Sequence, residues 1–327
     1  MKKLIFVLIL SMLLALVVLP AVVVWHGKQE KIKVETIRGP NIQMFNVTTK
    51  KVQTLPLEKY LVGVLAAEMP ASFEPEALKA QAVAARTYAV KKVELSKQSI
   101  NEKHPTAQVC TDPTHCQAWL SEKEMKKKWG VVKYTLYSQK IAQAVRLTQG
   151  IVAVYQGRLI DPVYHSTGVG QTENSGDIWQ VDVPYLKSVS SPGDKNSPKY
   201  KTSLTLTLHQ IDKALGSNLQ AVPAATINQG RSKGLKVIAR TGTGRIKTIS
   251  VGGKIFKGEE FRRLLGLNSA KFTWQARGDQ ITFHVTGYGH GVGMSQYGAN
   301  GLAKQGKNYK QILQHYYKGI ELRKISE

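Results

Sequence analysis

Glu68 sits where helix patterning would place an apolar residue. In PLEKYLVGVLAAEMP, residues 56–70, the apolar side chains Leu57, Tyr60, Leu61, Val64 and Leu65 recur at the spacing of one helix face. Position 68 continues that face and carries a carboxylate. Burial and the negative end of a helix both oppose ionisation of a carboxyl group. A glutamic acid so placed keeps its proton near neutral pH and is equipped to act as a general acid. The alternative is a Glu68 turned outward and solvated at the helix end.

Other residue groups have chemistry of their own. Lys79 and Arg86, seven residues apart in an alanine-rich stretch, share a helix face and could reach Glu68 or an anionic ligand; a solvated basic face is the plainer reading. In HPTAQVCTDPTHC, Cys110 and Cys116 lie close to His104 and His115. Two thiolates and an imidazole can hold zinc with a position left open, a Cys110–Cys116 disulfide suits an oxidising compartment, and free thiols are a third outcome. Two polar glycine-containing loops follow. YHSTGVGQTENS contains Tyr164, His165 and Ser166, and GYGHGVGMSQYGA contains His290 and Gln296. Glycines beside such side chains suit close approach of a glycan, and equally suit tight turns. Neither loop has phosphate-binding or dinucleotide spacing, and Ser166 lacks the G-x-S-x-G elbow of a serine hydrolase.

The elements that must position these residues read as α+β. A helix runs between Pro56, suited to a first helical position, and Pro70, which cannot continue it. A second starts near Pro75 and extends to about Lys92. Residues 101–118 are loop-like. Residues 121–148 form a helix interrupted near Gly130, with Met125, Trp129, Val132, Ile141 and Val145 on its apolar face. From Gly150 the pattern alternates around a Gln156–Gly157 hairpin turn. The expected architecture is a helical part over about 54–148 and a strand-rich part over about 150–320, two lobes flanking a cleft.

Residues 4–25 are almost wholly apolar. At ~1.5 Å per residue they reach across a bilayer, and they lack a good cleavage site. They read as an uncleaved signal anchor, with residues 1–3 inside and 26–327 outside the membrane. The formal net charge is +24, from 46 Lys and Arg against 22 Asp and Glu. Such a balance seeks polyanions. No helix-turn-helix, zinc-finger or RNA-binding signature is present, so no nucleic-acid partner is expected. Anionic lipid and cell-wall polymers remain.

LAAEMPASFEPEALKAQAVAARTYA, YHSTGVGQTENSGDIW, VPYLKSVSSPGD and GHGVGMSQYGA occur in that order. Together they resemble the stage II sporulation protein D family of endospore-forming bacteria, over essentially the whole chain. The resemblance implies a membrane-anchored lytic transglycosylase that cleaves peptidoglycan during forespore engulfment, between mother-cell and forespore membranes. It implies Glu68 as the catalytic acid, Lys79, Arg86, Tyr164, His165 and Ser166 as supporting residues, and zinc on His104, Cys110 and Cys116. It further implies strands stripped of peptides as substrate, and stage II sporulation proteins P and M as partners. The same domain occurs in amidase enhancers, which keeps a non-catalytic peptidoglycan-binding role open; a generic basic wall- or membrane-binding protein is the third class. Glu74, Glu76 and Glu173 are candidates for a second carboxylate, as an ordinary glycosidase requires. A transglycosylase needs none, and the proposed chemistry requires no cofactor.

Overall fold

The structure, a computed structural model, describes residues 40–228 and 234–325. The anchor expected over 4–25 lies outside the described residues. Among the described residues no helix is long and apolar enough to cross a membrane.

A hairpin, Asn41–Asn46 with Lys51–Pro56, opens this part of the chain and runs into helix α1, Leu57–Glu68. Pro56 therefore ends a strand and caps the helix, where a first helical position was expected. All five residues of the predicted stripe on α1 are buried. Helix α2, Pro75–Ser96, starts on its proline as expected and runs four residues beyond the anticipated Lys92. Its alanines let neighbours approach, so it is packed between α1, the long helix α3 (Glu122–Leu147) and strand Ile151–Tyr155. Helix α3 breaks at Gly130, whose φ of 72° favours glycine. The expected apolar stripe holds at Met125, Ile141 and Val145 but not at Val132, which is exposed just beyond the break.

The hairpin at Gln156–Gly157 forms as predicted, with both residues at positive φ. The loop over 101–118 contains one short strand, Val109–Cys110, which pairs in parallel with Met44–Phe45.

The two-lobe expectation needs its boundaries corrected. Strand Lys201–Thr207 pairs with Gln280–Thr286, which pairs with Phe272–Arg277; a second sheet of Leu235–Arg240, Ile246–Val251 and Lys254–Lys257 packs nearby. These strands and helices Leu208–Leu215 and Gly258–Leu264 share their own apolar core around Phe261, Phe272 and Phe283. After residue 286 the chain returns to the first core: helices Gln296–Lys304 and Tyr309–Tyr316 pack against α2, and Glu321–Lys324 pairs with Ile151–Tyr155. The strand-rich lobe is thus inserted into the helical body. Short parallel pairing of Tyr164–His165 with Met294–Ser295 brings the two glycine-containing loops side by side.

Candidate functional site

Glu68 ends α1 at the floor of a cleft of about 820 Å³. Its Oε1 accepts the backbone N–H of Ala118 at 2.8 Å, and the Tyr164 hydroxyl also donates to the carboxylate. Burial raises its pKa above the ordinary carboxylate value; those two hydrogen bonds and the Lys128 ammonium pull the other way without cancelling it.

A hydrogen-bonded chain stands behind the acid. Tyr60 donates to Gln117 Oε1 at 3.3 Å, Gln117 Nε2 donates to the Tyr164 oxygen at 3.1 Å, and Tyr164 faces Glu68. The loop bearing Gln117 and Ala118 is held against α1 by Leu120 N–H on Gly63 O, at 3.1 Å, and by Trp119 lying over Gly63. A Cβ at Gly63 would overlap the indole ring.

The cleft brings together Glu68, Tyr164, His165, Ser166, His290 and Gln296, which the sequence reading had named. Both histidines are neutral near pH 7. Burial holds His290 at about 4 and His165 well below the usual histidine value. His290 donates from Nε2 to Tyr164 O and accepts Val292 N–H on Nδ1, which fixes the backbone that presents Tyr164. His165 donates from Nδ1 to Val292 O. Both therefore brace the loops. The glycine between them is required: Gly289 has φ of 112°, and a Cβ there would press on His165.

Lys79 and Arg86 do not meet Glu68, and neither lines the cleft. Lys79 pairs with Glu76 at 2.5 Å. Arg86 is fully buried, binds Glu58 through two nitrogens at 2.8 and 2.6 Å, and donates to Val145 O and Ile151 O. It ties α1, α2 and the end of α3 together. Several lining residues carry no signal of that role in the sequence, three of them close to the acid or forming an aromatic wall. Lys128 donates to Ala66 O at 2.9 Å and interacts with Glu68. Trp129 and Tyr137 form an edge-to-face pair across the Gly130 break, with ring centroids 5.6 Å apart. The break turns Trp129 toward the cleft, although its spacing read as core; the only sequence signal was the glycine itself.

Of the residues lining the cleft, Glu68 is the one carboxylate. Glu74 precedes α2, and Glu76 is held by Lys79 and Tyr309 N–H. Glu173 is buried against the equally buried Arg245 at 3.0 Å. Arg245 comes from the inserted lobe and also donates to Ser269 Oγ at 2.7 Å and Gly289 O at 3.0 Å, while Glu173 N–H reaches Gly291 O at 2.8 Å. The pair braces the cleft loop from behind. Glu76 and Glu173 are thus occupied elsewhere, and Glu74 does not line the cleft.

Cys110 and Cys116 are unbonded thiols. Ligand atoms of His104, Cys110, His115 and Cys116 all lie within 4.8 Å of one another. Three sulfur–imidazole separations are 3.5 Å: His104 Nε2 to Cys116, and His115 Nδ1 to each cysteine. Tetrahedral zinc with Zn–S ~2.3 Å and Zn–N ~2.0–2.1 Å spaces sulfur and nitrogen by about 3.5 Å, so this donor set fits the metal. His104 donates from Nδ1 to Ala107 O at 2.8 Å, which leaves Nε2 free to ligate. His115 thus completes a four-donor set where the reading named three ligands. Burial pushes the Cys110 thiol up to about 11.

Comparison with known proteins gives two family matches and close relatives. Residues 46–155 match the family described as "Stage II sporulation protein", and residues 185–293 match "Domain of unknown function (DUF8618)". The chain is 41% identical over 290 residues to stage II sporulation protein D of Bacillus subtilis (strain 168), covering 88% of this chain and 81% of that protein. It is 40% identical over 282 residues to the protein of the same name in Bacillus amyloliquefaciens, covering 86% and 78%. It is also 30% identical over 315 residues to an amidase enhancer of Bacillus subtilis (strain 168), covering 80% of this chain and 40% of that longer protein.

Proposed function

The chain belongs to the stage II sporulation protein D family, and from that premise we propose that it is a peptidoglycan lytic transglycosylase with Glu68 as its acid and base. The observation that carries this reading is a single half-buried carboxylate, held toward its protonated form, lining a cleft with no second acid among the described residues. A hydrolase flanks the bond with two carboxyl groups. One acid suffices when the nucleophile is the sugar's own hydroxyl.

Glu68 donates its proton to the glycosidic oxygen between N-acetylmuramic acid and N-acetylglucosamine as the C1–O bond breaks. The substrate's acetamido oxygen supports the cationic carbon. The carboxylate then removes the proton from the 6-hydroxyl, whose oxygen bonds to C1 and closes the 1,6-anhydro ring. No water is consumed, and Glu68 ends protonated. Ala118 N–H, the Tyr164 hydroxyl and Lys128 steady the carboxylate between the two transfers. Trp129 and Tyr137 offer the aromatic faces on which pyranose rings pack. His104, Cys110, His115 and Cys116 would hold zinc, which supplies a structural tie: Gln117 and Ala118 follow directly on Cys116.

The same reading places the protein on the cell membrane by an anchor over 4–25, acting on strands stripped of peptides beside stage II sporulation proteins P and M. The amidase-enhancer relative supports a second reading, in which the cleft binds glycan without cleaving it. Mass spectrometry of glycan strands incubated with the purified full-length chain separates them. The enzyme releases 1,6-anhydro-ended fragments on its own. An enhancer leaves the strands intact and accelerates an added amidase.

A further inference from the structure

The inserted lobe has a groove that the cleft chemistry does not use. It lies on the three-stranded sheet Lys201–Thr207, Gln280–Thr286 and Phe272–Arg277, beside the end of strand Leu235–Arg240, and has a volume of about 630 Å³. Lys201, Arg240 and Lys271 line it with His284, and among the described residues no carboxylate does. Ser203, Thr273 and Thr286, on the same face of the sheet, add hydroxyls to the wall.

The cations are held in place. Lys271 donates to Thr243 O at 2.9 Å and Arg240 to Gly244 O at 2.9 Å, both on the turn that leads to Arg245. Ser203 and His284 bond across the sheet at 3.0 Å. Glu173, the acid whose charge acts on Lys271, is committed to Arg245. Burial and the positive charges of Arg245 and Arg240 depress the Lys271 ammonium, and Glu173 only partly offsets them. Like charges gathered in a concave site without an acid are stabilised by an incoming anion.

We propose that this groove binds a linear phosphodiester polymer of the cell envelope. A guanidinium, ammonium groups and hydroxyls, with no acceptor-only side chain, match phosphate oxygens, and several cations match successive charges on one chain. Two chain segments link groove and cleft: Lys201 and Thr286 line the groove, and Lys199 and Tyr288, two residues away in each case, line the cleft. A phosphate chain tethered to a glycan could therefore engage both sites. The envelope source rests on the proposed function; the phosphate chemistry does not.

Fluorescence anisotropy of labelled poly(glycerol phosphate) with the purified full-length chain tests this. Arg240→Gln/Lys271→Gln should weaken binding at least about tenfold, since it removes two charge-assisted contacts. Lys201→Gln, at an exposed position, should weaken it in the same direction. The charge-matched control Lys213→Gln/Arg277→Gln, on exposed residues of the same lobe outside the groove, should change it less than about twofold. Equal losses in the two double variants would reduce the effect to bulk charge and overturn the site. Polyglutamate binding as tightly as the phosphate polymer would overturn phosphate recognition. Phosphatidylglycerol vesicles binding more tightly than the polymer, with the same dependence on Arg240 and Lys271, would overturn the polymer as ligand. Glu68→Gln, outside the groove, should bind the polymer as the parent does, so failure here and failure of the catalytic reading are separate observations.

Discussion

Replacing Arg245 by methionine should destabilise the protein more than almost any other single change in the inserted lobe. Arg245 is fully buried, and its partner Glu173 is 1% exposed. Removing one member of such a pair leaves a buried carboxylate without a counter-charge, at a cost of about 3–5 kcal/mol. Bonds to Ser269 Oγ and Gly289 O are lost with it. At roughly 2–4 °C per kcal/mol for a chain of this size, the thermal midpoint should fall by about 10 °C. The pH dependence has a definite sign. Glu173 already has a raised pKa, from burial, and Arg245 opposes that rise. Without the arginine the folded-state pKa climbs further, so the variant is most stable below the unfolded value of the carboxyl group and loses stability as pH rises through the folded one. Glu173→Gln/Arg245→Met removes the stranded charge and should recover at least half of the loss. Calorimetric melts between pH 5 and 8 read all of this. A single variant as stable as the parent, or a double variant no better than the single, would refute the account of the pair.

Cleavage should require protonated Glu68, so kcat/KM should fall as pH rises through a pKa above the ordinary carboxylate value; Lys128→Met removes a charge that lowers this pKa and should move the falling limb to higher pH. Because burial raises the Glu68 pKa, its contribution to stability is present below the unfolded value and lost as pH rises through the folded one, and melts of Glu68→Gln should lack that loss. Elemental analysis of the full-length chain should find about one zinc, and chelation should lower both the melting temperature and activity by freeing the loop that carries Ala118; no zinc with a mass two hydrogens light would establish the disulfide instead. Gly63→Ala should displace Trp119 and cost activity by loosening the Ala118 contact, which a cleavage assay paired with indole fluorescence would detect.

What the sequence made legible was local. The stripe ending at Glu68, the proline at the start of α2, the break at Gly130 and the Gln156–Gly157 turn all rest on short-range rules of periodicity and backbone freedom. What it hid was choice of partner at a distance. Spacing put Lys79 and Arg86 on one helix but could not show that Arg86 faces Glu58, 28 positions earlier. Trp129 fitted a core pattern because the rule assumes an unbroken helix, and Gly130 ends that assumption within one residue. Glu173 resembled a spare acid because its partner, Arg245, lies in an insertion 72 positions further along. The return of the chain after residue 286 was equally hidden, since alternation marks strands without saying which core they cover.

If one carboxylate does the chemistry, Glu68→Gln should abolish it. The amide keeps the shape of the side chain and cannot deliver a proton. General acid–base catalysis is worth ~10²–10⁴-fold, so release of 1,6-anhydro-ended fragments, followed by mass spectrometry, should fall by at least ~10²-fold while glycan binding persists. Glu74→Gln and Glu76→Gln should stay near the parent rate, because neither side chain lines the cleft. Anhydro products from Glu68→Gln at the parent rate would contradict the account.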